Sequence, residues 1–168
     1  MPTIAEQIID QLQLRPLPHE GGLFRETYRT PQSIPQNLLG GVYSGDRSFS
    51  TAIYYLLTSD MFSAMHRVPG DEIFHFYTGD PVEMLHITPD GNSSVVTLGP
   101  DILSGMRPQI VVPGGVWQGC RVIPGGDFAL LGTTMAPGFD FDDYTHADPD
   151  ELIALCPSQE KLIRELTR

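Results

Sequence analysis

Cysteine is scarce in this sequence, and its scarcity excludes two kinds of small protein. The 168 residues include only two cysteines, Cys120 and Cys156. Two thiols are too few for a disulfide framework, and the absence of a Cys-x-x-Cys pair or a Cys/His cluster argues against structural zinc. Reduced thiols are typical of the cytoplasm, where we expect this protein to reside.

Positive charge is scarce as well. Ten Lys and Arg residues stand against 21 Asp and Glu residues, which gives a formal net charge of −11. At long range such a chain repels a phosphate backbone and an anionic membrane surface, so we expect neither nucleic acid nor a membrane as a partner. An anionic small ligand stays open, because a few side chains inside a pocket can set a local field of the opposite sign.

Long hydrophobic runs are absent too. No stretch reaches the roughly 20 apolar residues that a membrane span needs. Residues 1–14 lack the basic start and the apolar run of a signal peptide. Neither repeats nor low-complexity tracts divide the chain, and its length is typical of one domain, so we expect a single domain over residues 1–168.

The sequence is rich in turn residues that separate short β-rich runs. It contains 17 Gly and 15 Pro, and turn residues at 89–92 and 124–127 predict two hairpins. Because no helical pattern lies between the runs, they predict an all-β sandwich or closed barrel rather than a parallel sheet. The predicted strands are residues 51–58, 73–78, 82–88, 95–98, 110–112 and 128–134.

Helical patterns occur only near the two ends of the sequence. Apolar residues at helical spacing follow Thr3, and Glu6 completes a capping box, so a helix begins there and ends before Pro16. Apolar residues within 162–166 predict a second short helix, and residues 150–155 predict a further turn.

Two segments, residues 66–79 and 113–118, resemble the two motifs of the cupin superfamily. In the first segment, His66, Glu72 and Gly79 fall at the spacing of the first cupin motif. In the second segment, Pro113, Gly115 and Gln118 occupy the corresponding positions of the second cupin motif.

The segments depart from the family's metal site at two positions. In cupins that bind a metal, three histidines and one glutamate hold the ion, and here Val68 and Gln118 occupy two of the histidine positions. Valine cannot coordinate, and a glutamine carbonyl is a weak ligand for first-row ions. We therefore expect no bound metal and no cofactor.

Nearly the whole chain is similar to a branch of small cupins of unknown function that share this altered motif. Residues 18–22, 24–28, 50–57 and 136–141 carry the likeness outside the motifs. The resemblance implies a cupin double-stranded β-helix, which is a jelly-roll barrel, with short N- and C-terminal helices. It also implies a homodimer.

The motif residues predict a pocket for a small molecule inside the barrel. Side chains alternate along a strand, so Phe74 and Phe76 share the face of Glu72, whereas His75 joins them only if a bulge turns it inward. Trp117 either walls the pocket or anchors a core or an interface. Apolar walls with a few aimed polar groups are typical of small-molecule sites. The predicted ligand-binding residues are His66, Glu72, Phe74, His75, Phe76, Trp117 and Gln118.

Several functions follow from this pocket, and the sequence leaves them open. The first is a metal-free cupin that binds a polar or anionic metabolite. The second is an isomerase or epimerase, similar in outline to the cupin epimerases of nucleotide-linked sugars, with His66 as catalytic base and Glu72 as the catalytic residue that orients it. A tyrosine at position 54, 55 or 77 would then be the acid.

Two further functions compete with these. One is a metal-dependent oxygenase or hydrolase that uses His66, Glu72 and His75 as an incomplete facial site. The other is a structural or sensing module whose pocket has no ligand and whose working surface is the dimer face.

Other residues receive plainer interpretations. Residues 20–22 predict a turn that enters the first strand, since they lack the spacing of a phosphate-binding loop. Residues 140–143 predict a solvated acidic stretch. Arg47 and Arg67 lie near strand ends, where surface ion pairing is expected ahead of contact with an anionic ligand, and His86 is interpreted as an ordinary strand residue.

Overall fold

A computed structural model describes residues 1–167, in which short strands lie between terminal helices. The helices are α1 (Ile4–Leu12), α2 (Pro149–Leu155) and α3 (Glu160–Glu165). The strands are β1 (Arg15–Pro16), β2 (Leu23–Arg29), β3 (Ser33–Ile34), β4 (Arg47–Ser48), β5 (Thr51–Thr58), β6 (Phe62–Arg67), β7 (Glu72–Gly79), β8 (Val82–Ile87), β9 (Ser93–Leu98), β10 (Gln109–Val112), β11 (Trp117–Val122), β12 (Phe128–Met135) and β13 (Thr145–His146).

Two antiparallel sheets face each other and form the barrel. One sheet has the strand order β1-β2-β5-β12-β7-β10, and the other has the order β13-β6-β11-β8-β9. All neighbouring strands in both sheets pair antiparallel, and β3 and β4 form a separate hairpin. This topology confirms the predicted all-β jelly-roll fold.

Alternation along the strands decides which side chains fill the barrel. On β7, Phe74 is almost completely buried in the main core and Phe76 packs against it, whereas the side chain of His75 points to the other face of the sheet. One end of the barrel is closed by apolar residues that interdigitate between the sheets. The closed end consists of Leu57, Val82, Leu98, Val122 and Ala129.

Helices cover the outer faces of both sheets. Helix α1 lies over β5 and β12, where its apolar side chains join a cluster around Leu56 and Leu130. The predicted capping box is present, with the Thr3 hydroxyl accepting from the Glu6 amide at 3.2 Å and Glu6 accepting from the Thr3 amide. Helices α2 and α3 cover the other sheet through Leu152 and Ile163. None of the helices in residues 1–167 is both long and apolar enough to cross a membrane.

One of the two predicted hairpins is correct. Residues 89–92 connect β8 and β9, which pair antiparallel as expected. The hairpin at 124–127 is wrong, because β11 pairs with β6 and β8 whereas β12 belongs to the other sheet. Asp80, between β7 and β8, accepts a hydrogen bond from the Asp127 amide at 2.7 Å, which fixes this turn next to the β7–β8 connection.

After β12 the chain crosses the open end of the barrel, and we call residues 136–146 the crossing segment. The Phe139 amide donates to the hydroxyl of Thr51 at 2.9 Å. The Arg47 guanidinium donates two hydrogen bonds to the Asp143 carboxylate, at 2.7 and 2.5 Å. Both side chains of this pair are at most 5% exposed, so the predictions of a solvated Asp143 and a surface Arg47 are wrong. The segment is clamped by a buried ion pair.

Candidate functional site

The open end of the barrel contains a cavity of about 160 Å³ between the two sheets and the crossing segment. Its walls combine apolar and aromatic side chains with carboxylates, two hydroxyls, one imidazole and one guanidinium. The lining residues are Leu17, Glu20, Phe24, Glu26, Arg29, Thr51, Ile53, His66, Val68, Glu72, Thr133, Met135, Phe139, Asp140 and Phe141.

Two of the sequence-predicted residues, His66 and Glu72, line this cavity from different sheets. His66 is near the end of β6 and Glu72 begins β7. The side chains are buried from bulk water, with 2% and 9% of their surface exposed. The structure therefore brings the first motif's imidazole and carboxylate to one space.

The imidazole of His66 is held in one orientation by the backbone. Its Nδ1 is 2.8 Å from the carbonyl oxygen of Ala64, and a carbonyl only accepts, so Nδ1 carries a proton. In the neutral ring the lone pair is then on Nε2, which is 3.8 Å from a carboxylate oxygen of Glu20. The ring of Tyr144 stacks on the imidazole at 5.0 Å between centroids.

Glu20 is a site residue that the sequence interpretation missed. The turn at residues 20–22 was expected to do no more than enter the first strand, yet it directs the Glu20 carboxylate into the cavity. Ser63 donates to Glu20 Oε1 at 2.7 Å. Gly22 has φ of +71°, and a Cβ there would come within 2.7 Å of the Tyr55 ring. The Gly21-Gly22 pair next to Glu20 is the sequence feature that could have indicated a tight turn directing this carboxylate inward.

Glu72 has a different partner from the one predicted. Its carboxylate accepts a hydrogen bond from the side-chain amide of Gln118 at 2.7 Å, and the His66 tautomer is fixed by the Ala64 carbonyl. Burial, followed by the negative charge of Glu20, raises the pKa of Glu72 above its ordinary value of 4.5. The hydrogen bond from Gln118 and the nearby His66 act in the opposite direction.

Gln118 lies behind Glu72 rather than in the cavity wall. It pairs across the sheet with His66 on one side and with His86 on the other. Within residues 1–167, Gln118 Oε1 and His86 Nε2 are buried without a hydrogen-bond partner. Burial lowers the pKa of His86, so the neutral imidazole is favoured next to the amide.

The remaining predicted residues fall outside the cavity wall. Phe74 and Phe76 form part of the core beneath it. His75 faces the outside of the sheet, where its Nε2 is 2.6 Å from the hydroxyl of Thr134. No bulge precedes it on β7, because the register shift between β7 and β12 comes after His75. The condition for His75 to turn inward is therefore not met, and its inclusion among the predicted ligand-binding residues is wrong.

Trp117 is also placed away from the cavity. Its ring packs with the cluster under α2 and α3, and the Arg67 guanidinium lies 4.5 Å from the ring centroid. The ring is thus an anchor between the sheet and the C-terminal helices, one of the two roles that its position in the motif left open.

The residues of this site do not fit the metal of metal-binding cupins. Val68 has no donor atom, and the amide of Gln118 is turned so that its nitrogen donates to Glu72. His75 points away from His66 and Glu72, which removes the facial ligand set proposed for an oxygenase or hydrolase. In the described part of the chain, no cluster of three or more His, Cys, Asp or Glu side chains is arranged to hold a metal ion.

Carboxylates outnumber cations around the cavity. Arg29 donates to Glu26 at 2.8 Å and to the Phe139 carbonyl at 3.0 Å, and this pairing raises the pKa of Arg29. Its charge is thereby compensated. Glu20, Glu72 and Asp140 remain as further carboxyl groups in the same wall. The wall therefore holds more carboxyl groups than cationic side chains, as does the whole chain.

Two facing antiparallel sheets, with the motif residues on their inner surface and a cavity at one end, define a cupin barrel. The model of the family described as Cupin superfamily (DUF985) matches residues 6–147, and the chain belongs to this family. This confirms the resemblance expected from the sequence.

Relatives cover nearly the whole chain. The uncharacterized protein YML079W of Saccharomyces cerevisiae is 33% identical over 153 residues, which are 86% of this chain and 75% of that protein. The crystal structure of protein SO0799 from Shewanella oneidensis is 30% identical with a TM-score of 0.86, and it covers 99% of both chains. The structure of a hypothetical protein from Leishmania major is 28% identical with a TM-score of 0.87, and the match covers 98% of this chain and 99% of the Leishmania chain.

Proposed function

We propose that this protein binds a small polar molecule in the cavity at the open end of its barrel, without a metal ion. The observation that supports this proposal is the cavity itself, in which the buried His66 and Glu72 and the partly exposed Glu20 converge from three different segments of the chain. Removing ionisable groups from water costs free energy unless they are paired. A ligand that bonds to them offsets this cost.

The composition of the wall supports a binding site rather than a packing defect. A void left by imperfect packing is lined by hydrocarbon and stays dry. Here apolar side chains such as Phe24 and Ile53 alternate with polar groups whose orientation is fixed by hydrogen bonds. That mixture is typical of small-molecule sites. The excess of carboxylates favours the polar ligand of the two expected classes over the anionic one.

A fragment screen by ligand-observed NMR tests the proposal. Fragments that bind to the wild-type protein should lose their binding in Thr133→Phe, which places a ring in the cavity. The matched control is Thr134→Phe, because Thr134 lies next in β12 and faces the other side of the sheet. Circular dichroism and the melting temperature verify folding, and Thr133→Ile replaces the larger substitution if it does not fold.

Equal binding to the wild-type protein and to Thr133→Phe would place the ligand elsewhere and refute the proposal. Hits that disappear in Thr133→Phe and persist in Thr134→Phe support it. An empty screen against a folded wild-type protein would favour the structural module, whose working surface is the predicted homodimer face.

One observation favours a second candidate, an isomerase or epimerase. Since Nδ1 of His66 donates to a carbonyl, Nε2 carries the lone pair of a base. Glu72, whose pKa is raised by burial, is the suitable acid. The tyrosines expected in that role are less suitable, because Tyr54 and Tyr77 contact each other on the outside of the barrel and Tyr55 donates to the Gly21 carbonyl.

Proton exchange tests this candidate. In the proposed step, His66 Nε2 removes a proton from a carbon next to a carbonyl, the electron pair moves to the carbonyl oxygen, and that oxygen takes the Glu72 proton. Hydroxyacetone in deuterated water should exchange its carbon-bound protons faster with wild-type protein than with His66→Gln. Equal exchange rates would dispose of the isomerase.

A further inference from the structure

We propose that the group recognised in this cavity is a primary ammonium, carried on a short apolar body. The inference rests on the proposed function, because it names the ligand class of the same site. It is drawn from the arrangement of hydrogen-bond acceptors, the balance of charge and the size of the cavity.

Apart from the hydroxyls of Thr51 and Thr133, and with the His66 ring neutral, the polar atoms available to a ligand near His66 are acceptors. His66 Nε2 and Glu20 Oε2 are 3.8 Å apart, which is too far for a direct hydrogen bond. A nitrogen that donates to each at about 2.8 Å fits between two acceptors at this separation. The carboxylate of Glu72 lies in the same wall. An –NH3+ group has three donors and no acceptor, and it therefore matches three acceptors.

Apart from the threonine hydroxyls of the wall, the side-chain donors near these acceptors are already engaged. Ser63 donates to Glu20, Gln118 donates to Glu72, and Arg29 donates to Glu26 and to the Phe139 carbonyl. An anionic ligand would meet Glu20, Glu72 and Asp140 without a free guanidinium to pair with. A hydroxyl would satisfy one of the acceptors as a donor. An ammonium satisfies several of them and also compensates their charge, within a smaller head group than a guanidinium.

The remaining residues of the wall determine the size and the apolar character of the part of the ligand that carries the ammonium. Leu17, Phe24, Ile53, Met135 and Phe139 form the apolar part of the wall. Since a cavity needs about 10–15 Å³ to hold one water molecule, the volume of about 160 Å³ accommodates on the order of ten non-hydrogen atoms. Aromatic rings next to carboxylates suit a cation, because the ring faces carry negative potential. The ligand is consequently a small amine, below the size of a nucleotide.

Calorimetric titration with a matched series tests the inference. The probes are pentylamine, 1-pentanol, pentanoate and pentyltrimethylammonium, which share their chain and differ in the head group. An alkylamine is protonated at pH 7, as the lysine side chain is. Pentylamine should bind at least about tenfold more tightly than each of the others, since a hydrogen bond to a charged group is stronger than one between neutral groups.

A charge-removing variant identifies the residues responsible. Glu20→Gln keeps the shape of the side chain and should weaken pentylamine about 10- to 100-fold, while 1-pentanol changes by less than about twofold. The matched control is Glu83→Gln, since Glu83 pairs with Arg121 outside the cavity. It should leave both affinities unchanged. If Glu20→Gln does not fold, the wild-type series alone decides.

Each outcome has a distinct meaning. Preference for 1-pentanol or pentanoate, abolished by Thr133→Phe, overturns the ammonium assignment and leaves the proposed binding function intact. Equal affinity for the trimethyl probe shows that charge without donors suffices, and it overturns the primary ammonium. Failure of pentylamine to bind overturns the assignment as well. If the fragment screen is also empty, the proposed function falls with it.

Discussion

The two ends of the barrel are built from the same strands and differ in what those strands carry. At the closed end, Leu57 and Ala129 face each other from paired positions on β5 and β12 and are fully buried. At the open end, Ile53 and Thr133 are paired in the same way and border the cavity. A separation of four residues on each strand thus divides the close-packed core from the cavity wall.

The difference shows how one fold separates stability from function. Apolar side chains that fill the space between the sheets supply most of the free energy of folding. This stabilisation offsets the cost of burying polar and ionisable groups around the cavity. Truncation of an apolar side chain should therefore cost more stability at the closed end than in the cavity wall, and substitutions in the cavity wall should in addition act on binding. Three measurements can break or sharpen this division.

The largest effect is expected at the closed end. Leu57→Ala removes a fully buried side chain from close packing and should reduce the free energy of unfolding by about 3 kcal/mol, within the usual range of about 2–5 kcal/mol. Urea denaturation measures this loss. Ile53→Ala, on the same strand and face, is the matched control at the open end, and it should cost about 1 kcal/mol because its side chain already borders a void. Equal losses would contradict the division between the ends.

A smaller effect is expected where the crossing segment is fastened. Arg47→Met leaves Asp143 as a buried charge without its partner and should cost about 2–3 kcal/mol in urea denaturation, somewhat below the usual cost of breaking a buried pair. In the double variant Arg47→Met, Asp143→Leu, an apolar pair replaces the ion pair, and most of the loss should be recovered. If the double variant is no more stable than Arg47→Met, the single loss does not come from the stranded carboxylate.

Features of the fold that depend on neighbouring residues in the sequence are predicted better than contacts between distant residues. The pattern at 51–58 matches β5 residue for residue, and the capping box at Thr3 begins α1 as expected. Both depend on near neighbours in the chain. The spacing of the first motif predicts that His66 and Glu72 converge, and both line the cavity. The family match confirms the resemblance on which this prediction rests.

The errors concern contacts between distant residues. Arg47 and Asp143 are 96 positions apart, so no local pattern distinguishes their buried pair from two surface charges. Glu20 reaches the cavity because a turn with positive φ directs it there, and its partner Ser63 lies 43 positions later. The turn at 124–127 has ordinary hairpin chemistry, but the sheet that each flanking strand joins depends on the packing of the whole barrel.

The smallest effect, and the one that tests the site's electrostatics, is the pH dependence of Glu72. Its pKa is raised in the folded protein, so folding is favoured while the group is protonated. That contribution is fully present below the ordinary value of 4.5, and it is lost as the pH rises through the folded value. Glu72→Gln keeps a neutral group at this position at every pH. The variant should therefore gain stability relative to the wild-type protein as the pH rises from 4 to 7.

Urea denaturation of both proteins at several pH values measures this difference directly. His66 and Glu20 face the same cavity in both proteins, so the comparison is made between variant and wild type at each pH. Glu83→Gln, which alters a carboxylate in a partly exposed ion pair, should show no comparable rise. A difference that falls between pH 4 and 7 would mean that Glu72 is stabilised as a carboxylate. In that case a cationic partner within the protein, rather than a ligand, would already compensate the charge of the open end.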